Sequence, residues 1–469
     1  MNTKRDRGIR YKGIRIAGYT LYPYTPYLKL NPIAIGCNNL PRAKYNCVTS
    51  DIVFKEKNNN SKFIMLLCVL LFLNFSLIAQ DDIINIPYYT FINYNQNKII
   101  FSADSSSYNT LFEKLDTLIL KGDGQINIVH IGDSHIQADF FSGRMRELLQ
   151  TFFLGTKGSR GFIFPFKLIN SNNAFNLFDS STGNWTGCRN IEKNKTCTLG
   201  LSGASATTTD SIASLYIRLR SLDYVKYDFN KVKIFQDFKQ NSFEIETDNY
   251  KLKQEVVAPD SIGYTLFVLN DYVDSIIFRI TKTDTIQKSF TLYGISLEND
   301  DPGITYHSIG VNGADVDAFL RCSLFSKQLN ELNPDWVIIS LGTNDCYSTK
   351  WDKNIFASNL TSLIKKIRIV KPNVPVLFTT PSDNYRRRRY HNPDVAVVSE
   401  IIKKVAAENN CATWDLYNVM GGYGSMQNWL KAGMAARDKL HFAQNGYYLQ
   451  GDLLFSAFIK AYNNFIDKK

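Results

Sequence analysis

The sequence has little of what marks several common protein classes. None of its eight Cys residues forms a CxxC pair, and none lies in a cluster with the five His residues at the spacing of a zinc site. We find no internal repeat and no low-complexity tract, which argues against a repeat protein. The chain of 469 residues is 44% hydrophobic, with 31 Phe and 26 Tyr. It therefore has enough apolar material for one large domain or two ordinary ones.

Excess positive charge is also missing from most of the chain. The formal net charge is +11, but residues 1–80 hold 12 Lys and Arg against 3 Asp and Glu, whereas the remaining residues hold 42 against 40. The basic character thus belongs to an N-terminal leader. Nucleic acid is for this reason not a predicted partner.

The centre of this leader is a short apolar run. Residues 63–79 read FIMLLCVLLFLNFSLIA, follow several Lys residues and contain Ser76 and Ala79 close to a polar stretch. This pattern predicts a Sec-type signal peptide over residues 63–80 and a periplasmic or secreted bacterial protein. One alternative is an uncleaved anchor helix, which would be the sole membrane contact, although the run is slightly short for a span. The other is a core helix, against which the preceding Lys residues and the abrupt polar stretch argue.

Residues 1–62 stay unassigned, because signal peptides rarely begin so far inside a chain. We hypothesise that residues 1–54 are an over-extended start of the reading frame, and finding them on the intact precursor would contradict this. Five Cys residues follow the leader, an odd number that rules out complete pairing. Cys188 and Cys197 are close in sequence and could pair in an oxidising compartment.

Alternating strand and helix patterns begin after an N-terminal approach, residues 81–125, which contains an amphipathic helix at about 108–120. Predicted strands and the helices after them lie at 126–135 and 140–153, 334–345 and 354–370, 374–381 and 393–409, and 411–417 with a last helix from near Asn445. This alternation predicts a parallel, doubly wound sheet. The α/β domain is expected over residues 126–180 and 301–469.

Residues 181–300 break that rhythm. Short runs such as SLYIRLRS, YTLFVLN and DSIIFRITK alternate apolar and polar residues and are rich in Ile, Phe, Tyr and Val. Such runs are typical of antiparallel strands. We therefore expect an all-β domain inserted between the first and second α/β units.

Ser134 is the candidate nucleophile for acyl transfer. It follows the first strand at a Gly-Asp-Ser turn, just before a helix, where its hydroxyl would project from the carboxyl edge of the sheet. Its backbone N–H would be one donor to an oxyanion. An ordinary turn with a helix cap is the alternative interpretation of this motif by itself.

Asp438 and His441 occur in RDKLHF, just before the last helix. A spacing of three lets the carboxylate on a turn reach the near ring nitrogen of His441 and leaves the far nitrogen for a serine. The alternative is a solvated side chain for Asp438 and a histidine at a helix start for His441.

Two further residues are candidate oxyanion donors. Asn344 lies in LGTNDC at the end of the second strand, where its amide can donate to an oxyanion. Gly313 lies in GVNGADV, where a glycine lets the backbone N–H approach the substrate closely. Gly310 competes with Gly313 for this role, and ordinary turn residues are the alternative for all three.

Taken in order, GDS, a glycine loop, GTND after a buried strand and DxxH before the last helix resemble the four blocks of the SGNH (GDSL-like) hydrolase superfamily. The resemblance covers residues 126–180 and 300–469. It implies a flavodoxin-like three-layer α/β/α fold and no metal or organic cofactor. It also implies a catalytic triad of Ser134, Asp438 and His441. The oxyanion hole that it implies is formed by Ser134, Gly313 and Asn344.

The subfamily rests on longer motifs. His135 stands where the usual block has Leu, and GDSH, LYGISLENDDPGITYHSIGVNGAD and DLYNVMGGYGSMQNW resemble the peptidoglycan O-acetylesterases of Gram-negative bacteria. In that group the inserted β domain resembles a carbohydrate-binding module, and the implied partner is an acetylated polysaccharide, namely peptidoglycan. The alternatives are an O-acetyltransferase or a deacetylase acting on another polysaccharide, and a non-catalytic glycan-binding protein.

The remaining candidates flank these motifs. His135 is expected to line the site or to pack beside it, and His130, inside the first strand, is expected to be a core histidine. Arg386 and Arg387, in the run RRRR, are candidate substrate contacts, with a solvated loop as the alternative. His307 and His391 receive no role, and Asp133 and Asp345 are expected to organise their turns.

Overall fold

We describe the fold from a computed structural model, which covers residues 15–16, 19–20, 84–102, 104–220, 225–237, 242–247, 252–257 and 263–469. The predicted signal peptide and most of the leader lie outside the described residues. Among the helices that the structure describes, none combines the length and the hydrophobicity needed to cross a membrane.

The described strands are β1 (Arg15–Ile16), β2 (Tyr19–Thr20), β3 (Ile99–Ile100), β4 (Gln125–Gly132), β5 (Gly161–Ile163), β6 (Leu177–Thr182), β7 (Thr186–Arg189), β8 (Ala204–Thr208), β9 (Ile212–Leu219), β10 (Phe229–Gln236), β11 (Glu244–Thr247), β12 (Leu252–Val257), β13 (Tyr264–Val273), β14 (Ser275–Thr281), β15 (Phe290–Glu298), β16 (Gly303–Gly310), β17 (Trp336–Ser340), β18 (Val376–Thr379), β19 (Tyr385–Arg386), β20 (Tyr390–His391) and β21 (Ala412–Trp414). The described α-helices are α1 (Ser106–Lys121), α2 (Ser134–Gln137), α3 (Phe141–Thr151), α4 (Val316–Leu320), α5 (Phe325–Glu331), α6 (Lys353–Arg368), α7 (Asp394–Glu408), α8 (Leu416–Val419), α9 (Ser425–Lys431) and α10 (Gln444–Ile466).

The α/β part is built on a sheet of six strands in the order β16-β4-β17-β18-β21-β3. The first five strands are parallel, and taken in chain order they lie as 2-1-3-4-5, which is the flavodoxin-like arrangement. The structure adds two edge strands to the predicted parallel, doubly wound sheet. β3 pairs antiparallel with β21 at one edge, and β16, which was not predicted, forms the other edge.

Helices cover both faces of this sheet because side chains alternate along its buried strands. Ile126 and Ile128 of β4 belong to a core shared with α1, α3 and α10. Val129 and Ile131, one position out of phase, belong to a second core shared with α4, α5, α6 and α7. The α/β part therefore has three layers.

The remaining strands form two antiparallel sheets. One has the order β12-β13-β10-β15-β8-β7, with β5 added beside β15, and the other has the order β11-β14-β9-β6. Side chains from both sheets enter one core, where the rings of Phe267 and Phe278 lie 5.6 Å apart. The two sheets thus pack face to face as a sandwich. Cys188 and Cys197 form a disulfide at its edge strand β7.

Candidate active site

The Gly-Asp-Ser turn lies at the carboxyl end of β4, between its neighbours β16 and β17. This is the point where the strand order reverses, and ligands of open α/β sheets bind there. Gly132 allows the tight turn, since a Cβ at this residue would overlap the side chain of Ile136 and lie 2.8 Å from the carbonyl oxygen of Ser340. Asp133 then caps the short helix α2, and Ser134 is its first residue.

Ser134, His441 and Asp438 form one hydrogen-bonded chain. The hydroxyl oxygen of Ser134 lies 2.9 Å from Nε2 of His441, and Nδ1 of His441 lies 2.7 Å from Oδ2 of Asp438. The side chains of His441 and Asp438 are about one-third exposed, at 34% and 35%. The arrangement matches that of a nucleophile, a base and an orienting carboxylate.

The loop that carries Asp438 holds its carboxylate charged. Its Oδ1 accepts hydrogen bonds from the backbone N–H groups of Leu440 and His441, at 2.9 and 3.0 Å. Burial acts to raise the pKa of Asp438, but the hydrogen bonds from the His441 ring and from these N–H groups outweigh it and hold this pKa well below its usual range. Asp438 is therefore ionised across the physiological pH range, as a residue that orients an imidazole must be.

The two candidate glycines differ in what they permit. A Cβ at Gly310, the last residue of β16, would lie 2.7 Å from the carbonyl oxygen of Asp133, so this glycine lets the strand end pack against α2. Gly313 has φ +83°, and a Cβ there would have space, since the nearest atom, on the side chain of Ile191, would lie 3.8 Å from it. Gly313 is thus required by its backbone conformation rather than by a close neighbour.

Two backbone N–H groups of the predicted oxyanion hole have no backbone acceptor in the part of the chain that the structure describes. Among the described residues, neither Ser134 nor Gly313 donates a backbone hydrogen bond outside regular helix and strand pairing. Gln137 of α2, which the sequence analysis passed over, fixes the glycine loop, because its side-chain oxygen accepts from the N–H of Asn312 at 2.6 Å. The loop therefore leaves these N–H groups available to a ligand.

Asn344 is engaged by the protein in this arrangement. Its side-chain nitrogen donates to Oδ2 of Asp133 at 3.1 Å and to the carbonyl oxygen of Ala314 at 2.9 Å. The amide thus connects the turn of Ser134 to the glycine loop. A hydrogen bond from Asn344 to an oxyanion would require it to share or exchange one of these two.

His135 packs beside His441, with ring centroids 5.2 Å apart. Its Nδ1 lies 2.8 Å from Oδ1 of Asp133, and its Nε2 lies 3.2 Å from the carbonyl oxygen of Leu440. Both ring nitrogens are therefore occupied by the protein. Asp133, expected only to organise its turn, in fact also connects His135 to Asn344.

Arg386 and Arg387, predicted as substrate contacts, lie at the hairpin of β19 and β20. The guanidinium of Arg386 points inward and donates to the carbonyl oxygens of Cys346 and Tyr347, at 2.6 and 2.9 Å, and to Asp394 at 2.5 Å. Arg387 is exposed. Arg386 is thus engaged in the fold, and Arg387 is the member of the pair that a ligand can reach.

The other histidines have structural contacts. His130 is a buried core residue, as predicted, bonded to Tyr306 at 2.8 Å and Ser340 at 2.7 Å, and burial lowers its pKa to about 3. His307 accepts from the N–H of Phe162 and connects the two parts of the fold. His391 lies 2.5 Å from Asp383.

Asp345, expected to organise its own turn, accepts instead from the backbone N–H of Val316 at the start of α4, at 3.0 Å. Burial raises the pKa of its carboxyl to about 7. In the described part of the chain, no group of three or more His, Cys, Asp or Glu side chains is arranged to hold a metal ion.

Comparison with known proteins agrees with this geometry. Residues 284–449 match the GDSL-like lipase/acylhydrolase family, a range that includes Gly313, Asn344, Asp438 and His441 but not Ser134. A search of curated proteins found no match. The sequence likeness to GDSL-like hydrolases thus covers residues 284–449.

One solved structure resembles the chain over most of its length. It is entitled "Peptidoglycan O-acetylesterase in action, 5 min", is 21% identical, and matches with a TM-score of 0.63 over 78% of this chain and 99% of that one. Two family 3 carbohydrate esterases, from Talaromyces cellulolyticus and Clostridium thermocellum, match over 35% and 36% of this chain and 73% and 76% of their own lengths. Their identities are 17% and 19%, and their TM-scores are 0.28 and 0.27. The predicted resemblance to SGNH hydrolases, and within them to peptidoglycan O-acetylesterases, is confirmed.

Proposed function

We propose that this protein is an exported serine esterase that removes O-acetyl groups from a cell-wall glycan, with peptidoglycan as its substrate. The observation that carries the proposal is the hydrogen-bonded chain from Ser134 through His441 to Asp438. It lies at the carboxyl ends of the strands, beside two N–H groups that have no acceptor among the described residues. These are the parts that acyl transfer through a covalent intermediate requires.

The first half of the reaction acylates the serine. His441 takes the hydroxyl proton of Ser134 as its oxygen attacks the acetyl carbonyl, and Asp438 stabilises the resulting imidazolium. The N–H groups of Ser134 and Gly313 donate to the oxyanion, with Asn344 as a third donor after it exchanges one of its present partners. His441 then returns the proton to the sugar oxygen as the ester bond breaks, which leaves an acetyl-serine.

The second half releases acetate. Water attacks the acetyl-serine while His441 accepts one of its protons, and the same donors stabilise the second tetrahedral intermediate. Collapse of this intermediate breaks the bond to Ser134, whose oxygen recovers the proton from His441. If a sugar hydroxyl replaced water in this step, the same residues would perform an acetyl transfer.

The glycan substrate is supported by the extent of the structural likeness. The resemblance to the solved peptidoglycan O-acetylesterase covers 99% of that chain. We propose that the antiparallel sandwich acts as a carbohydrate-binding module for the acetylated polymer. Export is supported by the apolar run at residues 63–79 and is consistent with the disulfide between Cys188 and Cys197.

The proposal is tested by measuring acetate released from O-acetylated peptidoglycan, acetylated xylan and an aryl acetate by purified residues 81–469. We expect release that favours peptidoglycan, and a loss of at least about 1000-fold in the Ser134→Ala variant, because the nucleophile is gone. Ser106→Ala, at an exposed serine of α1, is the matched control and should behave as the unmodified protein.

Each other outcome has a definite meaning. Release from xylan or aryl acetate alone would keep the serine mechanism and contradict the peptidoglycan substrate. Release that survives Ser134→Ala would remove Ser134 from the nucleophile role. Acetate transferred to an added sugar faster than it is released to water would identify a transferase.

A further inference from the structure

The hairpin of β19 and β20 has a turn that its sequence does not favour. The N–H of Arg389 donates to the carbonyl oxygen of Arg386 at 3.2 Å, and the two residues between them, Arg387 and Arg388, have φ of +51° and +64°. Two successive positive φ angles define a type I′ turn, for which Asn-Gly is strongly preferred. Arginine is disfavoured in this conformation, and such outliers cluster at functional sites.

The base of this hairpin is fixed on several sides. Arg386 is held by two carbonyl groups and by Asp394. On the other strand, His391 lies 2.5 Å from the buried carboxylate of Asp383. The N–H of Arg387 donates to the hydroxyl of Tyr347 at 3.1 Å. The tip is thus presented by a firmly bonded base.

The tip itself is exposed and cationic. Arg387, Arg388 and Arg389 are all exposed, and none of them forms an ion pair with any acidic side chain that the structure describes. Tyr390 and Tyr423 are also largely exposed, at 65% and 71%, and the Tyr423 ring lies 3.7 Å from that of His391. Three exposed guanidinium groups are therefore available to a ligand at the tip, with Tyr390 directly after them in the chain and Tyr423 against the base of the hairpin.

The hairpin adjoins the loop that carries Asp438 and His441. The N–H of Tyr385 donates to the carbonyl oxygen of Lys439 at 3.0 Å, and the Lys439 ammonium lies 4.8 Å from the centre of the Tyr385 ring. Lys439 directly follows Asp438 in the chain. The base of the hairpin is thus bonded to the loop of Asp438 and His441, so a polymer with its ester at Ser134 has the arginine tip on the side of this loop.

We propose that Arg387, Arg388 and Arg389, with Tyr390 and Tyr423, form a subsite for the carboxylate groups of an acetylated glycan polymer. The guanidinium fork matches a carboxylate with two parallel hydrogen bonds, and tyrosine presents an apolar ring with a polar tip. The subsite rests on the proposed function and adds to it a preference for anionic polymers. It holds the chain while Ser134 attacks a nearby ester.

The double variant Arg387→Asn, Arg388→Gly tests this subsite without endangering the fold. It installs the residue pair that the type I′ turn prefers, so the melting temperature should stay the same or rise. We expect the ratio of kcat/KM on acetylated peptidoglycan to kcat/KM on an aryl acetate to fall about 3- to 30-fold, the scale of two exposed ion pairs. Added salt should lower this ratio for the unmodified protein and have little effect on the double variant.

The matched control removes two positive charges elsewhere. Lys365→Asn, Lys404→Asn changes exposed residues of α6 and α7 and should leave the ratio unchanged. An unchanged ratio in the arginine double variant, or an equal fall in the lysine control, would contradict the subsite. On a neutral acetylated polymer, neither double variant should change kcat/KM, because this polymer has no carboxylate groups to bind.

Binding separates this proposal from the proposed function. Co-sedimentation with insoluble peptidoglycan compares two proteins: the single variant Ser134→Ala and the triple variant that also carries Arg387→Asn and Arg388→Gly. The subsite predicts that the triple variant binds more weakly, even if no substrate is turned over. Equal binding would contradict it. Removing the peptides from the polymer beforehand distinguishes the carboxylates of the peptide from those of the sugar. If the bound carboxylates belong to the peptides, the difference in binding between the two variants should disappear; if they belong to the sugar, it should remain.

Discussion

Two histidine–aspartate pairs lie side by side in this protein and differ in what the second ring nitrogen meets. In both pairs Nδ1 faces a carboxylate, at 2.7 Å for His441 with Asp438 and at 2.8 Å for His135 with Asp133. Nε2 of His441 meets the hydroxyl of Ser134, whereas Nε2 of His135 meets the carbonyl oxygen of Leu440. The first pair is about one-third exposed, and the second is almost wholly buried.

The partner of Nε2 determines what each histidine can do. A hydroxyl can donate, so His441 can be neutral and accept the proton of Ser134. A carbonyl oxygen only accepts, so His135 satisfies both of its partners only as an imidazolium. Burial acts to lower the pKa of His135, but the charge and the hydrogen bond of Asp133 outweigh it and raise this pKa. The same residue types thus give a base in one pair and, in the other, a charged histidine that links Asp133 to the backbone of Leu440.

The largest expected difference between the pairs comes from Asp438→Asn. The amide cannot stabilise an imidazolium and favours the wrong tautomer of His441, so kcat should fall by roughly 100- to 10,000-fold. Steady-state kinetics on an aryl acetate measures this, with circular dichroism to verify the fold. A fall of less than about 10-fold would contradict the role of Asp438.

Asp133→Asn should have a smaller effect on activity because Asp133 contacts no reacting group. It loses the charge that pairs with His135 and disturbs the contact with Asn344, so we expect kcat to fall by about 10- to 100-fold, the scale of a partly misplaced oxyanion donor. Comparing the two variants on the same ester checks this order. If kcat fell equally in Asp133→Asn and Asp438→Asn, the proposed difference in role between the two pairs would be contradicted.

His135→Leu should change kcat by about 3- to 30-fold, through loss of a positioning contact. It should also change how stability depends on pH. Since the folded-state pKa of His135 is raised, its protonation stabilises the fold fully below the ordinary histidine pKa of about 6.5, and this contribution is lost as pH rises through the folded-state value. Urea unfolding should therefore show that the free energy of unfolding declines less from pH 5 to 9 in the variant than in the unmodified protein. An identical decline would contradict a charged His135.

Asp345→Asn should have the smallest effect on activity and a clear effect on stability. The folded-state pKa of about 7 lies above the usual value of 3.8, so the protonated carboxyl stabilises the fold at low pH, and this contribution is lost between about pH 4 and 7. The free energy of unfolding of the variant minus that of the unmodified protein should therefore be larger at pH 8 than at pH 5. The same difference at both values would show that Asp345 does not titrate in this range.

Much of the site could be predicted because its signals are local. Ser134 follows a buried strand, and Asp438 and His441 lie three residues apart, so sequence spacing alone brings Nδ1 to the carboxylate. The two strands that carry Ser134 and Asn344 end at the same edge of a parallel sheet, so their proximity was also predictable. The structure brings Ser134, His441 and Asp438 together, while their catalytic roles stay predictions.

Contacts between distant segments could not be predicted in the same way. The double role of Asp133 depends on Asn344, which lies more than two hundred residues further along the chain. Arg386 and Arg387 are identical in type, and only the hairpin register turns one inward and the other outward. β16 escaped prediction because it follows β15 after a short connection, where sequence alone does not reveal that the chain changes from one sheet to the other.

The central claim is that Ser134 forms an acetyl-serine with His441 as its base. Rapid acid quenching of the protein during turnover of an aryl acetate, followed by mass spectrometry of the peptide that contains Ser134, tests it most directly. We predict one acetyl group on Ser134, which is absent from the Ser134→Ala variant. An acetyl group on another residue, or continued turnover by Ser134→Ala, would contradict the account.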